Sequence, residues 1–226
     1  MPRDIVADGV TKRYGSVTAV DDVSLTITPG TVTVLAGPNG SGKTTLLRAI
    51  AGLTAPTTGT INRPEGAVGY AFQQPNIYAD LTVAGNLDVF AQMAGADDAW
   101  RDSLAERLRL DAVAHRRAGD LSDGFAKKLD LALSLLRTPA VLLLDEPLAD
   151  IDDATERRLL ALLEEYRGPD RTIVLTSHNL DALDGLVDRL VVLLDGAVVL
   201  DERTADLSET AGEAYASVLD GRLRRE

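Results

Sequence analysis

Residues 37–44 read Gly37-Pro38-Asn39-Gly40-Ser41-Gly42-Lys43-Thr44, a glycine, four residues, then Gly-Lys-Thr. This run constrains the fold because it works only between a strand and a helix. Residues 31–36 supply a buried strand that runs straight into it, and residues 45–51 read as a helix ended by Gly52. Glycines let consecutive backbone N–H groups turn inward around phosphate oxygens, and the following helix turns its positive N-terminus toward them. Lys43 is then placed to reach the β and γ phosphates of a nucleotide, and the Thr44 hydroxyl takes a Mg²⁺ position.

Around this run the patterning is that of an α/β fold. The first thirty residues alternate apolar and polar (Ile5, Ala7, Val10, then Val23, Leu25, Ile27), with Gly15 and Asp21-Asp22 as turn signals. They read as antiparallel strands. Residues 75–137 carry almost no strand pattern: Leu104, Leu108 and Val113 fall at roughly helical spacing, as do Leu129, Leu133 and Leu136. Strand signals return at 140–144, 172–176 and 190–194, separated by helical patterns at 154–166 and 180–186. Such alternation predicts a mostly parallel sheet. Asp195-Gly196 is a hairpin signal that adds an antiparallel edge.

A second site signal closes the strand Val141-Leu142-Leu143-Leu144 with Asp145-Glu146-Pro147. Two carboxylates at the C-terminal end of a central strand stand where open α/β sheets bind ligands. Asp145 is placed to hold Mg²⁺ through water and Glu146 to polarise an attacking water. Trp100 reads as core. His115, beside Arg116-Arg117, reads as solvated surface, and Arg222, Arg224 and Arg225 as a solvated tail.

Composition excludes other classes. A net charge of −12 argues against nucleic acid, whose affinity rests on Lys and Arg neutralising phosphates, and against direct docking on anionic lipid. No apolar run approaches a membrane span, nothing resembles a signal peptide, and zero cysteines leave no disulfide framework. The expected compartment is the cytosol. The acids are 25 Asp against 10 Glu, and the bases 19 Arg against 4 Lys. A GC-rich genome accounts for the arginine bias but poorly for the acid excess, and the skew resembles proteins of salt-accumulating archaea.

With these motifs in this order, the chain resembles the ATP-binding cassette (ABC) ATPases over nearly its whole length. The resemblance implies a P-loop NTPase core with a mostly parallel sheet, an N-terminal antiparallel β part and an inserted helical subdomain. The core is residues 1–74 and 138–226, and the insertion 75–137. ATP would be bound by Gly37, Pro38, Asn39, Gly40, Ser41, Gly42, Lys43, Thr44 and Thr45, with Tyr14 stacked on adenine. Thr44, Gln73 and Asp145 would serve Mg²⁺, and Glu146, His178 and Gln73 would be catalytic, with Gln74 the alternative to Gln73. Leu121-Ser122-Asp123-Gly124-Phe125 matches the family's signature segment, in which Ser122, Asp123 and Gly124 meet the ATP of the opposite subunit. The family usually has Gly and Gln where Asp123 and Phe125 stand, and an apolar residue at the fifth position resembles the type-2 class, mostly exporters. Ser122 also reads as a helix N-cap. Leu148-Ala149-Asp150-Ile151-Asp152 matches the loop that crosses the dimer, again with departures.

The implied activity is ATP hydrolysis that powers a membrane transporter, through a head-to-tail homodimer or heterodimer with two ATPs at its interface. A separately encoded integral membrane permease would supply the pathway, and no nucleic acid would be involved. The expected position is the cytoplasmic face of the membrane, reached through the permease. The alternative is a soluble ABC ATPase of a non-transport system such as iron–sulfur cluster assembly.

Overall fold

The computed structural model describes residues 4–64 and 66–223. The chain divides into two compact units, Met1–Glu65 with Arg167–Glu226, and Gly66–Tyr166.

The first unit begins with an antiparallel sheet of β1 (Ile5–Tyr14), β2 (Val17–Ile27) and β4 (Thr58–Asn62), in the order β2-β1-β4. Ile5, Ala7, Val10, Val23, Leu25 and Ile27 are buried, as alternation requires. Asp21-Asp22 is not a turn. Val10 pairs with Val23 and Lys12 with Val20, so β2 carries an extra residue there. Asp22 takes φ 48° and its N–H donates to Thr11 Oγ1 at 3.0 Å. The pair is a β-bulge inside a continuous strand.

The same unit holds four strands in the order β7 (Thr172–Ser177), β3 (Val32–Ala36), β8 (Arg189–Leu194) and β9 (Ala197–Arg203). The β3 strand is parallel to β7 and β8, and β9 returns antiparallel. Every residue of β3 and β7 is buried, as expected of parallel strands covered on both faces. The β8–β9 turn has φ 48° at Asp195 and 83° at Gly196, both in the left-handed region that a type I′ hairpin needs. The helices are α1 (Lys43–Ala51) and α6 (Ala211–Leu223). The helix read at 180–186 is a single 3₁₀ turn, Asp181–Leu183, too short to form four-residue hydrogen bonds. Arg222 is not a solvated tail residue: it lies in α6 and pairs with Asp195. Arg224 and Arg225 fall outside the described residues.

The second unit pairs β5 (Val68–Ala71) in parallel with β6 (Val141–Leu144). Around them stand α2 (Val83–Ala94), α3 (Asp98–Arg107), α4 (Asp123–Leu135) and α5 (Asp153–Tyr166). Thr82 caps α2, its hydroxyl accepting from Gly85 N at 3.0 Å. Asp152 caps α5, accepting from Ala154 N and Thr155 N at 2.9 Å each. Trp100 is half-buried on α3 rather than core, and its indole N–H donates to Leu135 O at 3.0 Å; its polar edge keeps it at the margin. His115 is exposed. Among the described residues, no helix is long and apolar enough to cross a membrane.

Candidate nucleotide site

In the first unit, the loop after β3 is shaped by its glycines. A Cβ on Gly37 would collide with Leu193 O and Ser41 Oγ. Gly42, at φ 102°, would drive a Cβ into Ala19 O. Only glycine lets the chain turn back this tightly and enter α1. The hairpin tip braces the loop, with Gly196 N donating to Ser41 O at 3.0 Å and Asp21 N to Gly196 O at 2.9 Å. Lys43 is buried, 6% exposed, and its ammonium donates to Gly37 O at 2.7 Å and Pro38 O at 3.1 Å. The cation is thus held over the loop. Ser41 Oγ is buried with no hydrogen-bond partner. A buried hydroxyl left unpaired costs stability. The glycine turn, the cation and the N-terminus of α1 together fit a nucleotide's phosphates.

Ala36 is in register with Ser177, so His178, exposed, leaves β7 beside the strand that feeds this loop. Tyr14 ends β1 with 51% of its surface exposed, and Lys12 lies 5.1 Å from its ring centre. Its open ring is available for stacking.

In the second unit, Ala71 is in register with Leu144 and accepts from Asp145 N at 2.9 Å. The segments carrying Gln73 and Asp145-Glu146 therefore leave neighbouring strand ends together. Asp145 is 1% exposed and accepts from Tyr70 Oη at 3.2 Å. Glu146 is 5% exposed with φ 49°, a strained conformation for a residue with a side chain. Gln73 and Gln74 are exposed. The Thr44 hydroxyl in the first unit and the Asp145 carboxylate in the second are each a hard oxygen donor, the type Mg²⁺ takes.

The signature segment opens α4. Ser122 stands at the N-cap position but its side chain makes no capping bond, so the expected cap is positional only. Asp123 is exposed in the first turn, where the helix dipole favours an anion. Gly124 lies against Thr155 Oγ1 and Asp152 Oδ2, which a Cβ would meet at 3.4 and 3.6 Å. Phe125 is covered by Lys128, whose Nζ stands 3.6 Å from the ring centre.

Three residues that sequence reading missed also stand here. Tyr70 holds Asp145. Lys127 donates to the carbonyls of Glu146 and Ala149. Burial pushes its ammonium below the usual lysine range, against the pull of Asp150, Glu146 and Asp123. Asp130 is 4% exposed, and burial pushes its carboxyl up to about 6 despite two backbone N–H donors. The only sequence signal for Lys127 and Asp130 is charge inside the Leu129, Leu133, Leu136 stripe.

A buried strand, a glycine-shaped loop and a helix in one unit, and paired acids at the C-terminal end of a parallel strand in the other, are the parts of a P-loop nucleoside triphosphatase. The chain belongs to the ABC transporter family, whose profile matches residues 20–149, and it is an ATPase. It is 29% identical to the lantibiotic transport ATP-binding protein SrtF of Streptococcus pyogenes, over 90% of this chain and 92% of that protein. It is 35% identical to the Nod factor export ATP-binding protein I of Paraburkholderia xenovorans, over 86% and 69%. It is 32% identical to the Fe(3+) ions import ATP-binding protein FbpC of Agrobacterium fabrum, over 95% and 65%. Among solved structures, the dimeric ABC transporter cassette MJ0796 superposes with a TM-score of 0.78 at 25% identity, over 88% of this chain and 98% of that one. The same cassette bound to ADP and Pi gives 0.77.

Proposed function

We propose that this ATPase powers a membrane transporter, and that it works as a head-to-tail dimer with ATP between the phosphate loop of one subunit and the Ser122 segment of the other. The observation that carries this reading is the start of α4. Ser122 is exposed and makes no capping bond, so its hydroxyl faces outward at a helix N-terminus suited to a phosphate. The dimeric state of the MJ0796 cassette supports it. Export is the direction we favour, from the apolar Phe125 and the export named for the Nod factor relative, although the FbpC relative is named for import. A separate permease would hold the chain at the cytoplasmic face of the membrane.

In the proposed mechanism Lys43 offsets the charge of the β and γ phosphates, and Tyr14 stacks on the adenine. Thr44, Asp145 and Gln73 would hold Mg²⁺, which when bound offsets phosphate charge and orients the terminal phosphate. Glu146 orients and polarises the attacking water, and His178 contacts the γ-phosphate.

The test is Glu146→Gln beside Lys43→Ala. Glu146→Gln keeps shape but removes the base, so it binds ATP without turnover and elutes as an ATP-dependent dimer on size exclusion. Lys43→Ala loses both hydrolysis and the dimer. Undiminished hydrolysis in Glu146→Gln would move the base elsewhere, and a monomer with ATP bound would remove the sandwich. Co-purification with an integral membrane protein supports transport; a soluble scaffold in its place supports assembly.

A further inference from the structure

We propose that Asp130 is a positioning residue for Gln73: its carboxylate, projecting from α4, holds both ends of the loop that carries Gln73. Asp130 Oδ2 accepts from Phe72 N at 2.6 Å, and Oδ1 from Asn76 N at 3.0 Å. These two amides bracket Gln73, Gln74 and Pro75. The bracketed residues lie in no helix or strand, so the clamp fixes the span within which Gln73 can move. The chemistry is specific to a carboxylate, which offers an acceptor on each oxygen and no donor. Asparagine, of the same shape, would turn an NH₂ group toward one of the two N–H groups.

Packing does not explain the residue. Asp130 sits among the buried Leu129, Leu131 and Leu133, where a charge is disfavoured unless its hydrogen bonds are made. The helix that carries it also carries Ser122 at its start, and Lys127, one turn before Asp130, donates to the Glu146 and Ala149 carbonyls. One helix thus holds the backbone on both sides of the β5–β6 strand ends, through a carboxylate on one loop and an ammonium on the other.

This proposal rests on the catalytic role read for Gln73, and the experiment separates the two. Steady-state ATPase kinetics and thermal unfolding are measured on the full chain with Asp130→Asn, Gln73→Ala and the double variant. Asp130→Asn lowers kcat by about tenfold or more while the KM for ATP stays within about twofold. In the Gln73→Ala background the same substitution changes kcat by less than about twofold, because the two residues act as one unit. A wild-type kcat in Asp130→Asn, or losses that multiply in the double variant, overturns the proposal while leaving Gln73 catalytic. A wild-type kcat in Gln73→Ala instead removes the role of Gln73, and this proposal with it. Should Asp130→Asn not fold, Asp130→Glu keeps the charge but displaces the loop by one methylene. It gives the same Gln73-dependent loss of kcat at unchanged KM, and wild-type kinetics in that variant overturns the proposal.

Discussion

Thr33 stands in the middle of β3, fully buried, and its hydroxyl has no hydrogen-bond partner. Ser41 Oγ is in the same condition, yet the two differ in meaning. Ser41 belongs to a loop outside any strand, whereas Thr33 is enclosed by strand neighbours on both sides. Thr33→Val removes the orphan at nearly constant volume and suits a buried strand. It should raise unfolding stability by about 1 kcal/mol, read as a higher urea midpoint at unchanged slope, with ATPase activity intact. A lower midpoint would mean that the hydroxyl is bonded in solution. Glu146 poses the opposite case: a side chain kept at φ 49°, which costs of order 1–3 kcal/mol. Glu146→Gly should therefore leave the thermal midpoint level or higher while turnover is lost. A clear fall would show that the carboxylate's own contacts outweigh the backbone strain.

Helix α4 shows what one element can organise. Lys127→Met should leave the carbonyls of Glu146 and Ala149 short of a donor, at a cost of about 1–3 kcal/mol. Thr82→Ala, which removes the cap of α2, should cost about 1 kcal/mol. Urea unfolding measures both, but only Lys127→Met should also lower kcat; equal activity in the two variants would make Lys127 purely structural. None of this was legible in the chain, because Lys127 and Asp130 bind backbone groups whose positions depend on the fold. By contrast β3, the phosphate loop and β6 could be read directly: five and four consecutive apolar-rich residues end in residue types that only one chemistry needs. The β4 strand was missed because it is mostly exposed and polar. The β5 strand is four residues long and contains Gly69, where a Cβ would meet Ser134 O at 2.5 Å. At 180–186 the apolar spacing suggested a helix, but Gly185 takes φ 83° and the chain leaves helical geometry after one turn.

Across the whole molecule, the net charge of −12 sets the electrostatics. Most of the acids are aspartates, and most ion pairs among the described residues join Arg to Asp at partly open positions, as where Arg101 meets Asp88, Asp98 and Asp102, with Arg107 and Glu165 an exception. Exposed pairs of this kind contribute about 0–1 kcal/mol each, so self-repulsion remains, and an ATP-bridged dimer would add repulsion between the two subunits. Salt screens it, since the Debye length falls from ~10 Å at 0.1 M to ~3 Å at 1 M. We therefore expect both the ATPase rate and the thermal midpoint to rise as KCl goes from ~0.1 M to ~3 M. A protein most active and equally stable at the low end would leave genome composition as the whole account of the skew. The lysines tell a complementary story. Lys12 donates to Ala55 O at 2.7 Å, Lys43 to the phosphate loop, Lys127 to two carbonyls, and Lys128 covers Phe125. None of the four is exposed, and arginine supplies the outer positive charge. Lys43 and Lys128 are buried, whereas Lys12 and Lys127 are half-buried, so acylation of the first two by an amine-directed reagent becomes a readout of unfolding, while the other two report the native surface.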